Sequence, residues 1–135
     1  MKITKFKFEM RSDEIGSLVF LEATRDIPFE IKRVYYIFGV DANGRRGFHA
    51  HKELQQALIC VHGSCKVMLD DGSEKIEVTL DDPSEGLYFG SMTWREMYDF
   101  SPGAVLLVLA SEYYDENDYI RNYDRFIEYL GEMNK

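Results

Sequence analysis

A period of two runs through most of this chain and limits what it can fold into. Phe6, Phe8 and Met10 alternate with Lys5, Lys7 and Glu9, and the runs "GSLVFLEA" and "IKRVYYIFGV" are rich in branched and aromatic residues. "SCKVMLDDGSEKIEVTL" reads as two strands about an Asp71-Gly72 turn, and "GLYFG", "TWREMYDF" and "AVLLVLAS" add further short runs. Successive side chains of a strand point to opposite faces, so these segments suit sheets with one buried face. Broken by "ANG", "DDG", "DDPSEG" and "SPG", they predict an all-β sandwich or barrel over about residues 1–112. The tail changes period. From Asn117 onward, Tyr119, Tyr123, Phe126 and Leu130 fall at i, i+4, i+7 and i+11, with Ile120 and Ile127 beside them. This spacing predicts a helical segment over about 116–133, packed on the outside of the β body.

At 135 residues the chain is the size of one ordinary domain, and one domain without a linker is expected. It is 45% hydrophobic and 30% charged, with no low-complexity run, which argues against disorder. "MKITKFKFEMRSDE" has charges at alternate positions and no apolar stretch fit for a signal peptide or a spanning helix. The expectation is a cytoplasmic protein without a membrane partner. A net charge of -8 repels nucleic acid, so any phosphate-bearing ligand must be held by a local cluster of arginines. Cys60 and Cys65 flank Gly63 and would face each other across a tight hairpin; in a leaderless chain the reduced state is expected, and neither is given a function.

All three histidines lie in "RRGFHAHKELQQALICVHG", residues 45–63. On a strand His49 and His51 project to one face while Phe48 and Ala50 face the other way. A metal site, an acid/base pair and core filling are the three readings. After the pair come Gln56 and then Gly63, a spacing that resembles the first motif of the cupin superfamily, with Gly44 a looser match ahead of it. A metal-binding cupin carries glutamate where this chain has Gln56, and a further histidine from a second motif, whereas none follows His62. Zinc, iron and manganese sites want three or four protein ligands, so two imidazoles and an amide make a poor cage. Histidine is neutral and charged in comparable amounts near pH 7, which suits it to moving protons. His62, beside Gly63, reads as an exposed turn residue.

"DIPFEIKRVYYIFGV", "RRGFHAHKELQQALICVHGSCKVMLDDG", "GLYFGSMTWREM" and "VLLVLASEYYDENDYIRNYDRFIEYL" together resemble the nucleotide-sugar 3,4-ketoisomerases, which are cupin enzymes. The resemblance runs from about Gly16 to Leu130. It implies a small cupin jelly-roll barrel with one C-terminal helix, acting without metal or other cofactor on dTDP-4-keto-6-deoxy-D-glucose. The C3 proton is removed beside the C4 ketone and returned to C4, leaving a 3-keto-6-deoxyhexose. By the same resemblance His49 is the carbon base, His51 a second acid or base, and Tyr35 a donor to the enolate oxygen. Arg33 shares a face with Tyr35, and with Arg46 it is the candidate for the diphosphate. Gln56 would bond a sugar hydroxyl or an imidazole. In "WREMYD" the cavity-facing set is not fixed, so Trp94 and Arg95 are both candidates for the substrate site. "SEYYDENDYIRNYD" reads as a cap and packing segment, its carboxylates suited to a helix N-terminus.

The family context implies a homodimer, which would also conceal sheet edges and the modest apolar excess of "AVLLVLAS". It implies too a pyridoxal-phosphate-dependent aminotransferase as pathway neighbour, making a 3-amino-3,6-dideoxyhexose for surface polysaccharide. Three alternatives remain. A nucleotide-sugar 3,5-epimerase would need a His-Asp dyad, whose signature is not evident. A metal-dependent cupin oxygenase would bind metal stoichiometrically. A non-catalytic sugar-nucleotide binder would need the arginines but not the histidine pair. The configuration of the product at C4 is left open, with "DEIGSL" the segment that would line the cavity mouth.

Overall fold

The computed structural model describes residues 3–134. The strands run β1 (Ile3–Lys7), β2 (Met10–Ser12), β3 (Ser17–Val19), β4 (Arg33–Phe38), β5 (Arg45–His51), β6 (Gln56–His62), β7 (Cys65–Asp70), β8 (Lys75–Leu80), β9 (Glu85–Phe89), β10 (Trp94–Tyr98) and β11 (Val105–Ala110). A 3₁₀ turn (Glu116–Asp118), the short strand β12 (Tyr119–Ile120) and helix α1 (Tyr123–Met133) complete the chain. Two five-stranded antiparallel sheets result, in the orders β1-β9-β6-β11-β4 and β12-β5-β10-β7-β8, with β2 and β3 forming a separate hairpin. This is the jelly-roll arrangement, but the two sheets do not join into a closed barrel. β1, β4, β12 and β8 remain as edges.

The alternation along each strand fixes three apolar layers. Leu58 and Cys60 of β6, Val67 and Leu69 of β7, Leu87 and Phe89 of β9, and Leu106 and Val108 of β11 are buried between the sheets. The opposite parity, Ala57, Ile59 and Leu109, packs under Phe8, Ile27 and Phe29 from the N-terminal region. On the outside of the second sheet Ala50 and Trp94 meet Phe126 of α1. Burial of this kind contributes roughly 1.5–3 kcal/mol per large side chain. It therefore decides which face of β5 and β10 looks inward, and with it the site.

The connection at Gly63 joins two sheets and is not a tight hairpin, because β6 and β7 belong to different sheets. Gly63 has a φ of +74°, and a Cβ there would collide with Ser101, so the chain turns sharply from one layer to the other. Cys60 and Cys65 are free thiols that meet in the core. The helix begins later than its period suggests. Asp115 accepts from the Asn117 N–H and holds a single turn, and Tyr119 and Ile120 then pair with His51 and Ala50. Only at Asn122, whose side chain accepts from the Arg125 N–H, does α1 start. Tyr119 thus belongs to an edge strand, and the helical stripe is carried by Tyr123, Phe126 and Leu130.

Candidate active site

β5 reaches the site through a bulge. Arg95 and Glu96 of β10 pair with His49 and Gly47, which leaves Phe48 as the extra residue. Phe48 has a φ of +56° and Gly47 a φ of +98°, and a Cβ on Gly47 would lie 2.7 Å from the Arg95 carbonyl oxygen. The bend brings Arg46, Gly47 and His49 to the wall of one cavity of about 380 Å³. Arg33, Tyr35 and Met97 line it as well, and so do Tyr119 and Arg121.

His49 Nδ1 lies 2.9 Å from the Gly47 carbonyl oxygen. A carbonyl only accepts, so Nδ1 carries the proton and Nε2 is left with a free lone pair. His51 is wholly buried, with its ring centroid 5.0 Å from that of His49 at 88°. Its Nδ1 lies 3.0 Å from Asp118 Oδ2, and its Nε2 is buried without a hydrogen-bond partner among the described residues. The Tyr119 ring sits 5.0 Å from His49 and 4.3 Å from His51. Burial, and then the charge of Arg95, push His49 down to about 3 and His51 down to about 2. Both imidazoles are therefore neutral at neutral pH.

Positive charge also comes from Arg95, which is buried completely and sits behind the cavity wall. It donates to Gln56 Oε1 and, at 3.1 Å, to the Thr93 carbonyl oxygen, and lies 4.7 Å over the Phe89 ring. Burial lowers it to about 10, which still leaves it charged. The other end of Gln56 donates to the Tyr35 hydroxyl at 2.8 Å. Burial raises the Tyr35 pKa, so the phenol keeps its proton, and that proton is free because its oxygen is the acceptor. Arg33 lies 5.3 Å from the Tyr35 ring centroid and 5.7 Å from that of Tyr114, with Nε and Nη2 buried and without hydrogen-bond partners among the described residues. It holds donors in reserve for an anion.

The expected residues are thus mostly assembled. His49, Tyr35, Arg33 and Arg46 line the cavity, Gln56 and Arg95 brace it from behind, and His51 adjoins it, its ring 5.0 Å from that of His49 and 4.3 Å from that of Tyr119. Trp94 is the correction. With Arg95 turned inward, alternation places Trp94 outside, where it packs edge-on against Tyr123 at 5.4 Å and donates to Glu96 at 3.0 Å. Within one chain the "DEIGSL" residues Asp13, Ile15 and Gly16 border a separate cavity on the β2–β3 hairpin. His62 is exposed at the end of β6, 2.9 Å from the Gly103 carbonyl oxygen.

Three residues were not foreseen: Asp118, Tyr119 and Arg121. All lie in the segment read as cap and packing, and their signal was that "SEYYDENDYIRNYD" carries more tyrosine and charge than a cap requires. Asp118 and His51, 67 positions apart in the chain, meet as a histidine-aspartate pair. Among the described residues no group of three or more histidines, cysteines or carboxylates could hold a metal ion. The donors that are present do not fit one either, since Gln56 is spent between Tyr35 and Arg95, and a buried guanidinium adjoins the imidazoles.

Residues 1–131 match the family model described as FdtA: WxcM-like, C-terminal. A curated relative from Aneurinibacillus thermoaerophilus, named TDP-4-oxo-6-deoxy-alpha-D-glucose-3,4-oxoisomerase, is 55% identical over 127 residues, covering 94% of this chain and 91% of its own. The 3,4-ketoisomerase QdtA from Thermoanaerobacterium thermosaccharolyticum, solved as a histidine-to-asparagine variant with TDP-4-keto-6-deoxyglucose, is 52% identical with a TM-score of 0.94, over 96% of this chain and 94% of that one. The TDP-quinovose 3,4-ketoisomerase WlaRB from Campylobacter jejuni is 51% identical with a TM-score of 0.90, over 93% and 97%. On the match of nearly its whole length, the chain belongs to the FdtA, WxcM-like family, in which these sugar 3,4-ketoisomerases are its relatives.

Proposed function

We propose that this protein is an isomerase that converts TDP-4-keto-6-deoxyglucose to its 3-keto isomer. The observation that carries the reading is the free Nε2 of a neutral His49 in one cavity with the Tyr35 phenol and with arginines on the wall. The substrate and its nucleotide come from the relatives' names.

A proton on C3 is acidic because the neighbouring C4 ketone accepts the electron pair. His49 Nε2 takes that proton, the pair forms C3=C4, and charge moves onto O4, where the Tyr35 hydroxyl donates to it. Gln56 and Arg95 hold Tyr35 in that role. The proton on the C3 hydroxyl then passes to O4, and His49 returns its proton to C4 as the ketone forms at C3. Arg33, Arg46 and Arg121 hold the diphosphate, the one strongly anionic part of the ligand. Its charge also offsets the field that keeps His49 acidic, so the base strengthens when substrate arrives.

The same reading carries a homodimer. Edge strand β4 leaves Val34, Tyr36 and Phe38 exposed at 56%, 62% and 68%, a row of apolar side chains beside unpaired backbone groups. It also carries a cytoplasmic enzyme whose 3-keto product, a carbonyl ready for amination, goes to a pyridoxal-phosphate-dependent aminotransferase and so to the 3-amino-3,6-dideoxyhexose of a surface polysaccharide.

The test is proton NMR of the chelator-treated protein with TDP-4-keto-6-deoxyglucose in deuterated water, beside His49→Asn. Deuterium at C4 of a 3-keto product, lost in the variant while TDP still binds, is the expected result. Intact nucleotide binding without exchange in the unaltered protein would point to a non-catalytic binder. Activity that appears only on adding metal would overturn the role given to Gln56.

A further inference from the structure

His51 has one nitrogen engaged and one waiting. Nδ1 meets Asp118 Oδ2 at 3.0 Å, and Nε2, on the other side of the ring, is buried with no hydrogen-bond partner among the described residues. An unpaired buried polar atom costs about 1–3 kcal/mol, so an enzyme that keeps one has a use for it. Asp118 is itself clamped. Its Oδ1 accepts from the Glu53 N–H at 2.8 Å, its carbonyl accepts from the Lys52 N–H at 3.0 Å, and its own N–H donates to Asp115. The His51 carbonyl in turn accepts from the Met92 N–H at 2.7 Å. Neither partner of this pair can turn away from the other.

We infer that Asp118 is a positioning residue of the isomerisation: it fixes His51 as the Nδ1–H tautomer, so that Nε2 relays a proton from the C3 hydroxyl to O4. The inference rests on the ketoisomerase reading. After His49 has taken the C3 proton, the sugar carries O4⁻ beside O3–H. The O3–H bond breaks as a proton joins Nε2, and the imidazolium, facing the Asp118 carboxylate, releases that proton to O4. The enolate is then O3⁻ beside O4–H. It collapses to C3=O3 while the C3=C4 pair takes the proton back from His49 at C4. No proton is gained or lost, and no electron leaves the sugar. His49 and Tyr119 both line the cavity, and their rings lie 5.0 Å and 4.3 Å from that of His51, so His51 stands at the edge of the space the sugar would occupy.

Asp118→Asn separates this role from a structural one. The Glu53 N–H is a fixed backbone donor, so the amide oxygen must take the place of Oδ1. The NH₂ group then faces His51 and donates to Nδ1. The imidazole is forced into the opposite tautomer, with hydrogen on Nε2, and a proton acceptor becomes a donor without loss of volume.

Nitrogen-15 NMR of histidine-labelled protein should show His51 neutral with hydrogen on Nδ1, and with hydrogen on Nε2 in Asp118→Asn. Turnover with TDP-4-keto-6-deoxyglucose should fall roughly 10²–10⁴-fold in kcat, with KM and TDP affinity within about threefold. Should the variant fold poorly, the unaltered protein still decides the tautomer. An Nε2–H signal there would overturn the inference, and so would a switched tautomer with kcat kept within a few-fold. Parallel loss of TDP binding would reassign Asp118 to stability and overturn it too. In a His51→Asn background, Asp118→Asn should cost little more, because Asp118 acts through His51. If the unaltered protein does not isomerise the sugar, the ketoisomerase reading fails first, while the tautomer measurement needs no substrate.

Discussion

A histidine held neutral in a folded protein is a liability in acid, and for His51 the size of the liability can be worked out. Its pKa falls to about 2 in the fold, through burial and the charge of Arg95, against about 6.5 in the unfolded chain. The folded value is the lower one, so the unfolded chain takes up a proton that the native state refuses. Stability is therefore present above about pH 6.5 and is lost progressively as pH falls from there toward 2. Each pH unit below 6.5 is worth about 1.4 kcal/mol, so acidification from about pH 7.5 to about pH 5 costs ~2 kcal/mol on this one group. His51→Asn keeps a donor for Asp118 and has nothing to titrate. Between the same two pH values it should lose ~2 kcal/mol less than the unaltered protein. For 135 residues that is about 7 °C in Tm. Urea unfolding at fixed protein concentration, followed by the fluorescence of the single, buried Trp94, reads the difference. Equal losses in the two proteins would show that His51 titrates in the fold as it does in the unfolded chain, and would refute the account of its lowered pKa by burial and Arg95.

The remaining predictions concern the other parts of the site. Arg33→Gln removes the unpaired guanidinium and should weaken TDP binding by about tenfold or more, as expected for charged hydrogen bonds of ~1.5–3 kcal/mol, while kcat changes less; isothermal titration and steady-state kinetics separate the two. Gln56→Glu places a carboxylate against Tyr35, which must then donate to it and not to the sugar. A fall in kcat of about 10–100-fold is expected, and added divalent metal should not restore it. Trp94→Phe loses the indole bond to Glu96 and some packing on α1, so thermal unfolding should register roughly 1 kcal/mol with KM and kcat unchanged; a raised KM would return Trp94 to the site.

The sequence yielded the layers and half the site, for reasons that lie in the range of each interaction. Alternation is local, so the strands and the shared face of His49 and His51 could be read from neighbours two residues apart. Parity alone could not say whether Trp94 or Arg95 looked inward. That choice depends on Phe126, on a helix some thirty residues further along, which offers an apolar surface to the indole and none to a guanidinium. The bulge at Phe48 is invisible for the same reason, since it is defined by a partner strand. Tyr119 was drawn into the helix by a spacing that is real from Tyr123 onward. Asn122 and Asp115 are both good caps, and the chain uses both, which leaves room for a two-residue strand between them. Asp118 then meets His51 through that strand pairing, a contact no periodicity encodes.

Arg95 explains how a scaffold that resembles a metal-binding one works as an acid/base site. A cation held by the imidazoles would engage a lone pair on each. The guanidinium has only donors, so it cannot be a ligand; it leaves both Nε2 atoms free while keeping a positive charge beside the imidazoles. Burying that charge alone would cost several kcal/mol, and the Gln56 amide, the Thr93 carbonyl and the face of Phe89 offset it. The identity of residue 56 follows. Glutamate there would pair with Arg95 and take the Tyr35 proton as well, cancelling the field and silencing the phenol. Glutamine accepts from the arginine at one end and donates to the tyrosine at the other, so a single amide keeps the charge in place and turns the Tyr35 proton toward the sugar. Burial first, and this field second, push His49 down to about 3. On the proposed reading, a diphosphate held by Arg33, Arg46 and Arg121 would offset the arginine part of that shift, so the ligand's remote, unreacting end would strengthen the base that attacks its sugar.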